Sequence, residues 1–316
     1  MVSSDLTDKV RETLLADGAD LVGIAPMERF AHCPAETHPR HYMPDATCVI
    51  SIGVRILDGV CDIWDGDPHT PHKSASPYLF YGYGVLNLEL GRLAYRAARM
   101  LECAGCKSLV FPPTWLVGKY RFLEGTIEKG ESPADFSHRH AAVAAGLGEF
   151  GLNGLVLTSF GTRNRFNSIL TNAPLTPNAM YAGPPLCRPG ICDRKCVRTC
   201  PTKAFNCEQM LTADYGERRF EYPYVKKPRC VLGAALGLVK GTGGYSDLEL
   251  NDADEITAAD VKEILASASV AQKKLLACVQ GIIVGDFCGL CQHGCPAHQW
   301  ARDECPADSP ARGRQV

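Results

Sequence analysis

The sequence lacks two features that would assign it to a membrane or to nucleic acid. No apolar run approaches the ~18 residues that a membrane-spanning helix needs, and no run of basic residues is available to bind phosphate groups. The 33 Lys and Arg residues nearly balance the 35 Asp and Glu residues, which gives a formal net charge of -2. We therefore expect neither a membrane segment nor a nucleic-acid partner.

The first residues also lack the marks of export. The segment Met1–Asp5 has no twin arginine and no basic region followed by an apolar stretch, which are the features of secretory signals. We therefore expect a cytoplasmic protein, and in that compartment cysteines stay reduced. Disulfides are accordingly the least expected use of the 16 cysteines.

The composition is that of a folded chain long enough for two domains. Hydrophobic residues make up 46% and charged residues 22% of the 316 residues, which is typical of globular proteins. Prolines 174, 177, 184 and 185 mark a change of pattern. We predict a first domain over residues 1–180 and a second, cysteine-rich domain over residues 181–316.

Helical and strand patterns alternate in the first domain, which predicts an α/β (α+β) fold. A stretch without any period, residues 58–80, is predicted to be a loop. In the second domain Thr257 is predicted to cap a helix. Apolar spacing predicts helices over Leu6–Leu15, Leu86–Leu101 and His138–Gly148, and β-branched runs predict strands over Leu21–Ile24, Cys48–Val54, Ser108–Phe111 and Leu155–Thr158.

The cysteines are the most informative feature. Seven of them form two runs, Cys187-x4-Cys192-x3-Cys196-x3-Cys200-Pro201 and Cys288-x2-Cys291-x3-Cys295-Pro296. Thiolates are soft ligands, and four of them on short loops wrap one iron–sulfur cubane. In two-cluster ferredoxins the cysteine before the proline reaches the other cluster. The two runs therefore predict an electron-transfer protein with two 4Fe–4S clusters.

Two cubanes need eight thiolates, and the runs supply seven. Cys230, which lies between them, is the candidate for the eighth, with Cys207 and Cys278 in reserve. Zinc remains an alternative, because His293 and His298 accompany the second run. We predict that one cluster is held by Cys187, Cys192, Cys196 and Cys295, and the other by Cys200, Cys230, Cys288 and Cys291.

A glycine-rich segment is the second informative feature. It reads Ala144-Ala145-Gly146-Leu147-Gly148-Glu149-Phe150-Gly151-Leu152-Asn153-Gly154, and its glycines permit close approach to a backbone or a flat ligand. A helical pattern precedes it, so it is not a nucleotide-binding fingerprint. A tight turn between a helix and a strand is the other reading.

This segment, together with Ile169-Leu170-Thr171-Asn172-Ala173-Pro174-Leu175 and the cysteine runs, resembles epoxyqueuosine reductases and reductive dehalogenases. The resemblance extends to Ala19–Ala25, Pro44–Ser51 and Arg229-Cys230-Val231. It implies a nitroreductase-like domain that holds a cobamide, followed by a ferredoxin-like domain with two 4Fe–4S clusters. It further implies that Gly146, Leu147, Gly148 and Asn153 lie near the corrin ring.

The implied activity is that of a reductase. Electrons from a donor such as ferredoxin or flavodoxin would pass through the clusters to the cobamide, which would reduce a small molecule or a modified nucleoside. The first run is longer than the usual C-x2-C-x2-C-x3-C of the queuosine enzymes. Their Asp-Ser/Thr-x-Pro motif, which supplies the catalytic acid, is also missing, and Glu131 or Asp135 is the candidate to replace it.

Three further side chains are candidate proton donors. His138 and His140 precede the glycine segment, and at this spacing they point to different helix faces, so one at most is expected to line a site. Tyr81 belongs to an aromatic cluster with Tyr78 and Tyr83, and a tyrosine can supply a proton in reductive chemistry. Each of these residues is also compatible with a structural role in packing or capping.

Two other functions remain open from the sequence. The chain could be a dicluster electron-transfer protein without cobamide, whose first domain binds flavin or docks the enzyme that receives its electrons. It could also be an iron–sulfur protein with a binding or assembly role. Cofactor content and redox behaviour separate these alternatives from a cobamide-dependent reductase.

Overall fold

The computed structural model describes residues 2–63, 77–113, 136–234, 237–240, 248–251, 255–267 and 288–313. Within these ranges the fold mixes α-helices with antiparallel sheets. The predicted α/β class is therefore confirmed. The strands are β1 (Leu21–Pro26), β2 (Cys48–Arg55), β3 (Ser108–Val110), β4 (Glu149–Phe150), β5 (Val156–Leu157), β6 (Asn164–Thr171), β7 (Phe205–Asp214) and β8 (Arg219–Val225).

The largest described sheet has the strand order β1-β2-β6-β3, and every neighbouring pair in it is antiparallel. Its side chains alternate between two apolar layers, as the period of a strand requires. In β2, Val49 faces one layer, whereas Ile50 and Ile52 face the other. Both faces of this sheet are therefore buried, which explains why its strands read as nearly continuous apolar runs.

Helices cover the two faces. The helices Val2–Ala16 and Leu86–Cys103 pack against one face, and His138–Ala144 packs against the other. The other described α-helices are Pro39–Tyr42, Asp58–Asp62, Pro189–Cys192, Lys195–Arg198, Lys227–Ala234, Ala258–Ser267, Leu290–His293 and His298–Glu304, with 3₁₀ turns at Met27–Phe30, Ala35–Thr37 and Pro310–Arg312 and a π-helical segment at Tyr78–Val85.

The elements predicted in the first domain are present, with two differences. Residues 58–80 were predicted to be a loop, but Asp58–Asp62 is helical and Tyr78 begins the π-helical segment. The helix that begins at His138 ends at Ala144, because Gly146 takes a left-handed φ of 78°. In the second domain the amide of Asp260 donates to Thr257 Oγ1, and the amide of Thr257 donates to Asp260 Oδ2, so the predicted cap is confirmed.

The second half of the chain completes the core of the first. The hairpin β7–β8 places Ala213, Tyr215 and Phe220 in the same apolar layer as the helix His138–Ala144. Arg29, which is buried, donates to the carboxylate of Glu217 at the turn of that hairpin. The division into domains at residue 180 stays a prediction, and extensive packing crosses it.

In the part of the chain that the structure describes, no helix combines the length and the apolar character needed to cross a membrane.

Candidate metal centre

The first predicted set of cysteines surrounds one cavity. Two short helices, Pro189–Cys192 and Lys195–Arg198, carry the first run, and the second run approaches them through the helix Leu290–His293. The lining of this cavity includes Cys187, Cys192, Cys196 and Cys295 together with Leu152, Leu157 and Trp300.

The thiols of this set are close enough to influence one another. Burial first, and then the negative charges of Cys295, Cys187 and Cys192, together raise the pKa of Cys196 to about 12. Burial likewise raises the pKa of Cys187 to about 11, although the amide of Leu152 opposes the shift. Such thiols become thiolates only beside strong positive charge, which the iron of a cluster supplies.

The cysteines of the second predicted set are also close enough for their charges to interact. Burial raises the pKa of Cys291 well above its ordinary value, and the charges of Cys288, Cys230 and Cys200 follow as causes. These are the three cysteines predicted to share a cluster with it. Cys196, from the first set, acts on Cys291 too. The two sets are therefore neighbours.

Of the two reserve ligands, the structure describes one. Cys207 is exposed on β7, and Cys278 lies outside the described residues. No group of three or more His, Cys, Asp and Glu side chains in the described ranges is arranged to hold a single metal ion. A cubane has four irons and four sulfides that keep its thiolates apart, and a cavity lined by four cysteines fits such a cluster.

The extra residues of the first run are accommodated by unusual backbone conformations. Asp193 and Arg194, which lie between Cys192 and Cys196, both take a left-handed φ of 47°. Two consecutive residues of this kind are rare outside glycine, because the β-carbon crowds the backbone there. The longer spacing therefore turns the chain outward between the two ligands.

Side chains of the first domain hold the second run by its carbonyl groups. Asn153 Nδ2 donates to the carbonyl of Cys291 at 2.6 Å, and Thr162 Oγ1 donates to that of Gln292. Arg163 donates to the carbonyl of His293 at 3.4 Å and pairs with Asp58 and Asp62 at 2.8 and 2.6 Å. Three successive carbonyls, from Cys291 to His293, are thus bonded by side chains from the loops on either side of β5.

The side chain of Gln292 adds two bonds to this arrangement. Its Nε2 donates to the carbonyl of Asn164 at 2.7 Å, and its Oε1 accepts from the buried hydroxyl of Tyr78 at 2.8 Å. The ring of Tyr78 occupies the space beside Gly289, where a β-carbon would lie 2.3 Å from it. The π-helical segment therefore packs directly on the loop between Cys288 and Cys291.

Cys187 is positioned from the glycine segment. Glu149 Oε1 accepts from the amides of Leu186 and Cys187 at 2.7 and 3.1 Å, and the amide of Leu152 donates to Cys187 Sγ at 3.3 Å. Burial raises the pKa of Glu149, and the two amides partly offset that effect. The segment thus orients a predicted cluster ligand.

The glycines that the resemblance places near a corrin ring make close contacts within the chain. A β-carbon on Gly146 would lie 2.1 Å from the carbonyl oxygen of Ala179, and one on Gly148 would lie 1.9 Å from that of Leu157. Leu147 is fully buried, and Asn153 is held as described above. The close approach at both glycines is therefore to protein backbone, and neither forms a cradle for a flat ring. Their place near a corrin stays a prediction.

The two histidines point in different directions, as their spacing predicts. The carbonyl of Pro112 lies 2.8 Å from His138 Nε2, so this nitrogen carries the proton, and Ser168 Oγ lies 3.0 Å from Nδ1. His140 lies between Ser137 Oγ at 2.6 Å and the hydroxyl of Tyr222 at 3.0 Å. Burial lowers the pKa of His138 to about 4 and that of His140 to about 3, so both rings are neutral at pH 7.

Of the three remaining candidate acids, the structure describes only Tyr81. Tyr81 is 54% exposed on the π-helical segment and contacts Phe80 edge to face. Glu131 and Asp135 lie outside the described residues. Tyr81 contacts no predicted cluster ligand among the described contacts, and the catalytic role of all three residues stays a prediction.

Several positioning residues were not found from the sequence. Glu149, Thr162, Gln292 and Tyr222 act through contacts between segments far apart in the chain. Gln292 and Glu149 lie within or beside the sequence motifs, which is a signal for each. Thr162 and Tyr222 carry no such signal, because their partners become neighbours only in the folded chain. Arg163, by contrast, is predicted from the sequence to lie near a cluster or the cofactor, and it bonds to the carbonyl of His293.

Comparison with known proteins finds relatives by structure. No family model and no curated protein sequence matches the chain. Epoxyqueuosine reductase from Streptococcus thermophilus is 17% identical with a TM-score of 0.44, over 95% of this chain and 68% of that one. An epoxyqueuosine reductase solved with a modified tRNA stem loop is 15% identical with a TM-score of 0.46, over 94% and 80%.

A variant of the catabolic reductive dehalogenase NpRdhA reaches a TM-score of 0.50 at 18% identity, over 87% of this chain and 36% of that one. The chain shares this fold. It spans about a third of the length of the dehalogenase. At this identity the likeness establishes the architecture, and it agrees with the family that the sequence motifs resemble.

Proposed function

We propose that the chain is an iron–sulfur reductase that carries two 4Fe–4S clusters. One cluster is held by Cys187, Cys192, Cys196 and Cys295, and the other by Cys200, Cys230, Cys288 and Cys291. The observation that supports this most directly is the assembly of both cysteine sets in the folded chain, each drawn from separate segments. The shared fold with a reductive dehalogenase agrees with reductase chemistry.

The clusters, when bound, accept and release electrons one at a time. The residues around them fix their positions. Cys295 and Cys291 lie on the same short segment and belong to different sets, so this segment joins the two clusters. Asn153, Thr162 and Arg163 hold its carbonyls. Their bonds limit the movement of the ligands when the charge of a cluster changes.

The proposal includes a cobamide as the group that reduces the substrate, and this part derives from the sequence resemblance. The contacts of Gly146 and Gly148 provide no cradle for it, so we assign no step to it. His138 and His140 are neutral and hydrogen-bonded at both ring nitrogens. A neutral imidazole with both nitrogens hydrogen-bonded orients its neighbours and is a weak proton donor.

The substrate in this proposal is a small molecule or a modified nucleoside. Because modified nucleosides occur within RNA, a search for substrates includes modified RNA. A donor of the ferredoxin or flavodoxin type would supply the electrons.

The test is to purify the protein without oxygen from cells supplied with cobalamin and to quantify iron and cobalt in the same sample. Two cubanes predict about eight iron atoms per chain, and a cobamide adds about one cobalt. A protein with no iron would refute the proposal. Zinc in stoichiometric amount in place of iron would establish the alternative metal.

A result of about eight irons without cobalt would support a second function, that of a dicluster electron-transfer protein. The packing of Gly146 and Gly148 against backbone agrees with this alternative, because it accounts for both glycines without a cofactor. Reduction of a substrate only after a second protein is added would then establish it.

A further inference from the structure

The segment that carries the first cysteine run has an unusual surface. Ile191, one residue before Cys192, is 67% exposed. From Cys187 to Cys200 there are four basic residues and one acid, which is a local charge of +3 in a chain of net charge -2. We call this surface the basic face; it comprises Arg188, Ile191, Arg194, Lys195 and Arg198.

Two charges of the basic face have no counter-charge in the described structure. Arg188 pairs with Glu304 at 2.9 Å, and Arg198 pairs with Asp193 at 3.2 Å. Arg194 and Lys195 are exposed, and neither forms an ion pair with any residue that the structure describes. Asp193 and Arg194 take left-handed backbone conformations, and the turn that they form carries Arg194 and Lys195 at the surface. These two charges are thus available to a partner.

The basic face also lies directly over the first cavity. Cys192 and Cys196 line that cavity, and they enclose the turn that carries Arg194 and Lys195. A protein that covers Ile191 therefore rests against the loop of a predicted cluster. Exposed apolar surface within a ring of charge is the usual composition of a transient docking site.

We propose that the basic face docks a small acidic electron-carrier protein that reduces the first cluster. This inference rests on the proposed function. Arg194 and Lys195 attract the carboxylates of the carrier, and Ile191 contacts its apolar centre. In the step itself one electron leaves the carrier and enters the oxidised cluster, with no other bond made or broken. Encounters of redox proteins bury small areas and depend on charge.

A nucleic acid is the other polyanion that could occupy a basic face. The exposed side chain of Ile191 favours a protein, because a phosphate backbone gains nothing from an apolar contact at this position. The charge is also confined to one short loop, which is a smaller patch than nucleic-acid surfaces usually present.

The test uses the anaerobic holoprotein and an acidic flavodoxin as the probe. Calorimetry measures binding of the oxidised flavodoxin, and stopped-flow absorbance follows electron transfer from its hydroquinone. The variant Arg194→Glu/Lys195→Glu should lower the affinity for flavodoxin and the rate of electron transfer by about 10-fold or more at low ionic strength. The effect should be smaller at ~0.15 M salt. Ile191→Ser should weaken binding similarly at both salt concentrations.

The matched control reverses the same number of charges elsewhere. Lys9→Glu/Arg99→Glu alters one exposed lysine on the helix Val2–Ala16 and one exposed arginine on the helix Leu86–Cys103, both remote in sequence from the basic face. Affinity and rate should change less than twofold in this control, since long-range effects of net charge are screened. An equal loss in the control would overturn the proposal, because net charge alone would then explain the effect.

Two further readouts separate this inference from the proposed function. Reduction by dithionite needs no docking, so the Arg194→Glu/Lys195→Glu variant must hold as much iron as the wild type and bleach fully with dithionite. If the wild type holds no iron, the proposed function fails, and the calorimetric binding still decides whether the basic face docks the carrier. Unchanged flavodoxin binding in the variant, with weakened binding of a tRNA stem loop, would assign the face to nucleic acid instead.

Discussion

Asn153 Nδ2 donates to the carbonyl oxygen of Cys291 at 2.6 Å. This bond joins the glycine segment of the first half of the chain to the second cysteine run, across 138 residues. Asn153 Oδ1 also accepts from the amide of Leu155 at 3.1 Å, so one buried amide group fixes both its own loop and a predicted ligand. Burial of this side chain at 4% exposure makes its bonds costly to lose.

We predict that Asn153→Leu, which keeps the size of the side chain, lowers the free energy of unfolding by about 2 to 4 kcal/mol. The variant leaves the carbonyl of Cys291 and the amide of Leu155 without their partner. It should also lower the content of the second cluster, because Cys291 loses its support. Urea unfolding and the electron paramagnetic resonance of the reduced protein measure the two effects.

The control for this prediction is Asn206→Leu. Asn206 Oδ1 accepts from the amide of Glu208, two residues on, at 3.1 Å in an exposed setting, so it shares the local bond of Asn153 but has no link to a cysteine run in the described contacts. We expect a loss below about 1 kcal/mol and full clusters. Equal effects of the two variants would show that the bond to Cys291 does not support the ligand.

The identity of the eighth ligand gives a second prediction. Cys230→Ala should reduce the iron content from about eight to about four atoms per chain, because one cubane loses a thiolate while the other keeps four. Cys207→Ala is the control, since Cys207 is exposed on β7, and it should keep all the iron. Loss of iron in the Cys207 variant with none in the Cys230 variant would exchange their roles.

The two cysteine runs could be recognised in the sequence because ligand spacing on short loops is a local property. Their supports could not, since they are contacts between distant segments. Thr162 and Arg163 follow the glycine segment by a few residues, yet they bind the carbonyls of Gln292 and His293 only after β6 and the second run meet. No local pattern in the chain specifies that meeting.

The glycine segment shows a different limit. Its pattern correctly indicated that the backbone approaches something closely, but a pattern does not reveal what is approached. The structure gives Ala179 and Leu157 as the neighbours of Gly146 and Gly148.

The hairpin β7–β8 was not predicted because its strand pattern is weak: most side chains of β7 are exposed.

The role of Gly146 gives a third prediction, for which the chain offers a close control. Gly146 has φ of 78° and Gly216 has φ of 77°, but a β-carbon on Gly146 would lie 2.1 Å from the carbonyl of Ala179, whereas nothing lies within 4 Å of one on Gly216. Gly216→Ala should therefore cost about 1 kcal/mol, from the left-handed backbone alone. Gly146→Ala should cost about 3 kcal/mol or more, because the clash adds to it.

Thermal or urea unfolding of the two alanine variants measures this difference directly. Similar losses of stability would mean that the contact with Ala179 relaxes easily, and Gly146 would then be free to serve a ligand. A large loss confined to Gly146→Ala would establish packing as its role.

The histidines give a fourth prediction, in the dependence of stability on pH. In the unfolded chain His138 has its ordinary pKa of 6.5, whereas burial, with a smaller contribution from the charge of Arg165, lowers it to about 4 in the folded protein. As the pH falls, His138 is therefore protonated in the unfolded state before it is protonated in the folded state. The free energy of unfolding should decrease from pH 6.5 toward pH 4, by up to about 1.4 kcal/mol per pH unit for this ring.

His138→Gln removes that proton and should flatten the decrease between about pH 7 and about pH 5, as measured by urea unfolding under anaerobic conditions. His41→Gln, at an exposed position, serves as the control for the loss of a histidine. Nuclear magnetic resonance of the labelled imidazole adds an independent measure, since a folded ring with its pKa near 4 stays neutral throughout this range. A ring that titrates near pH 6.5 in the folded protein would contradict the neutral, doubly hydrogen-bonded state and would restore His138 as a proton donor.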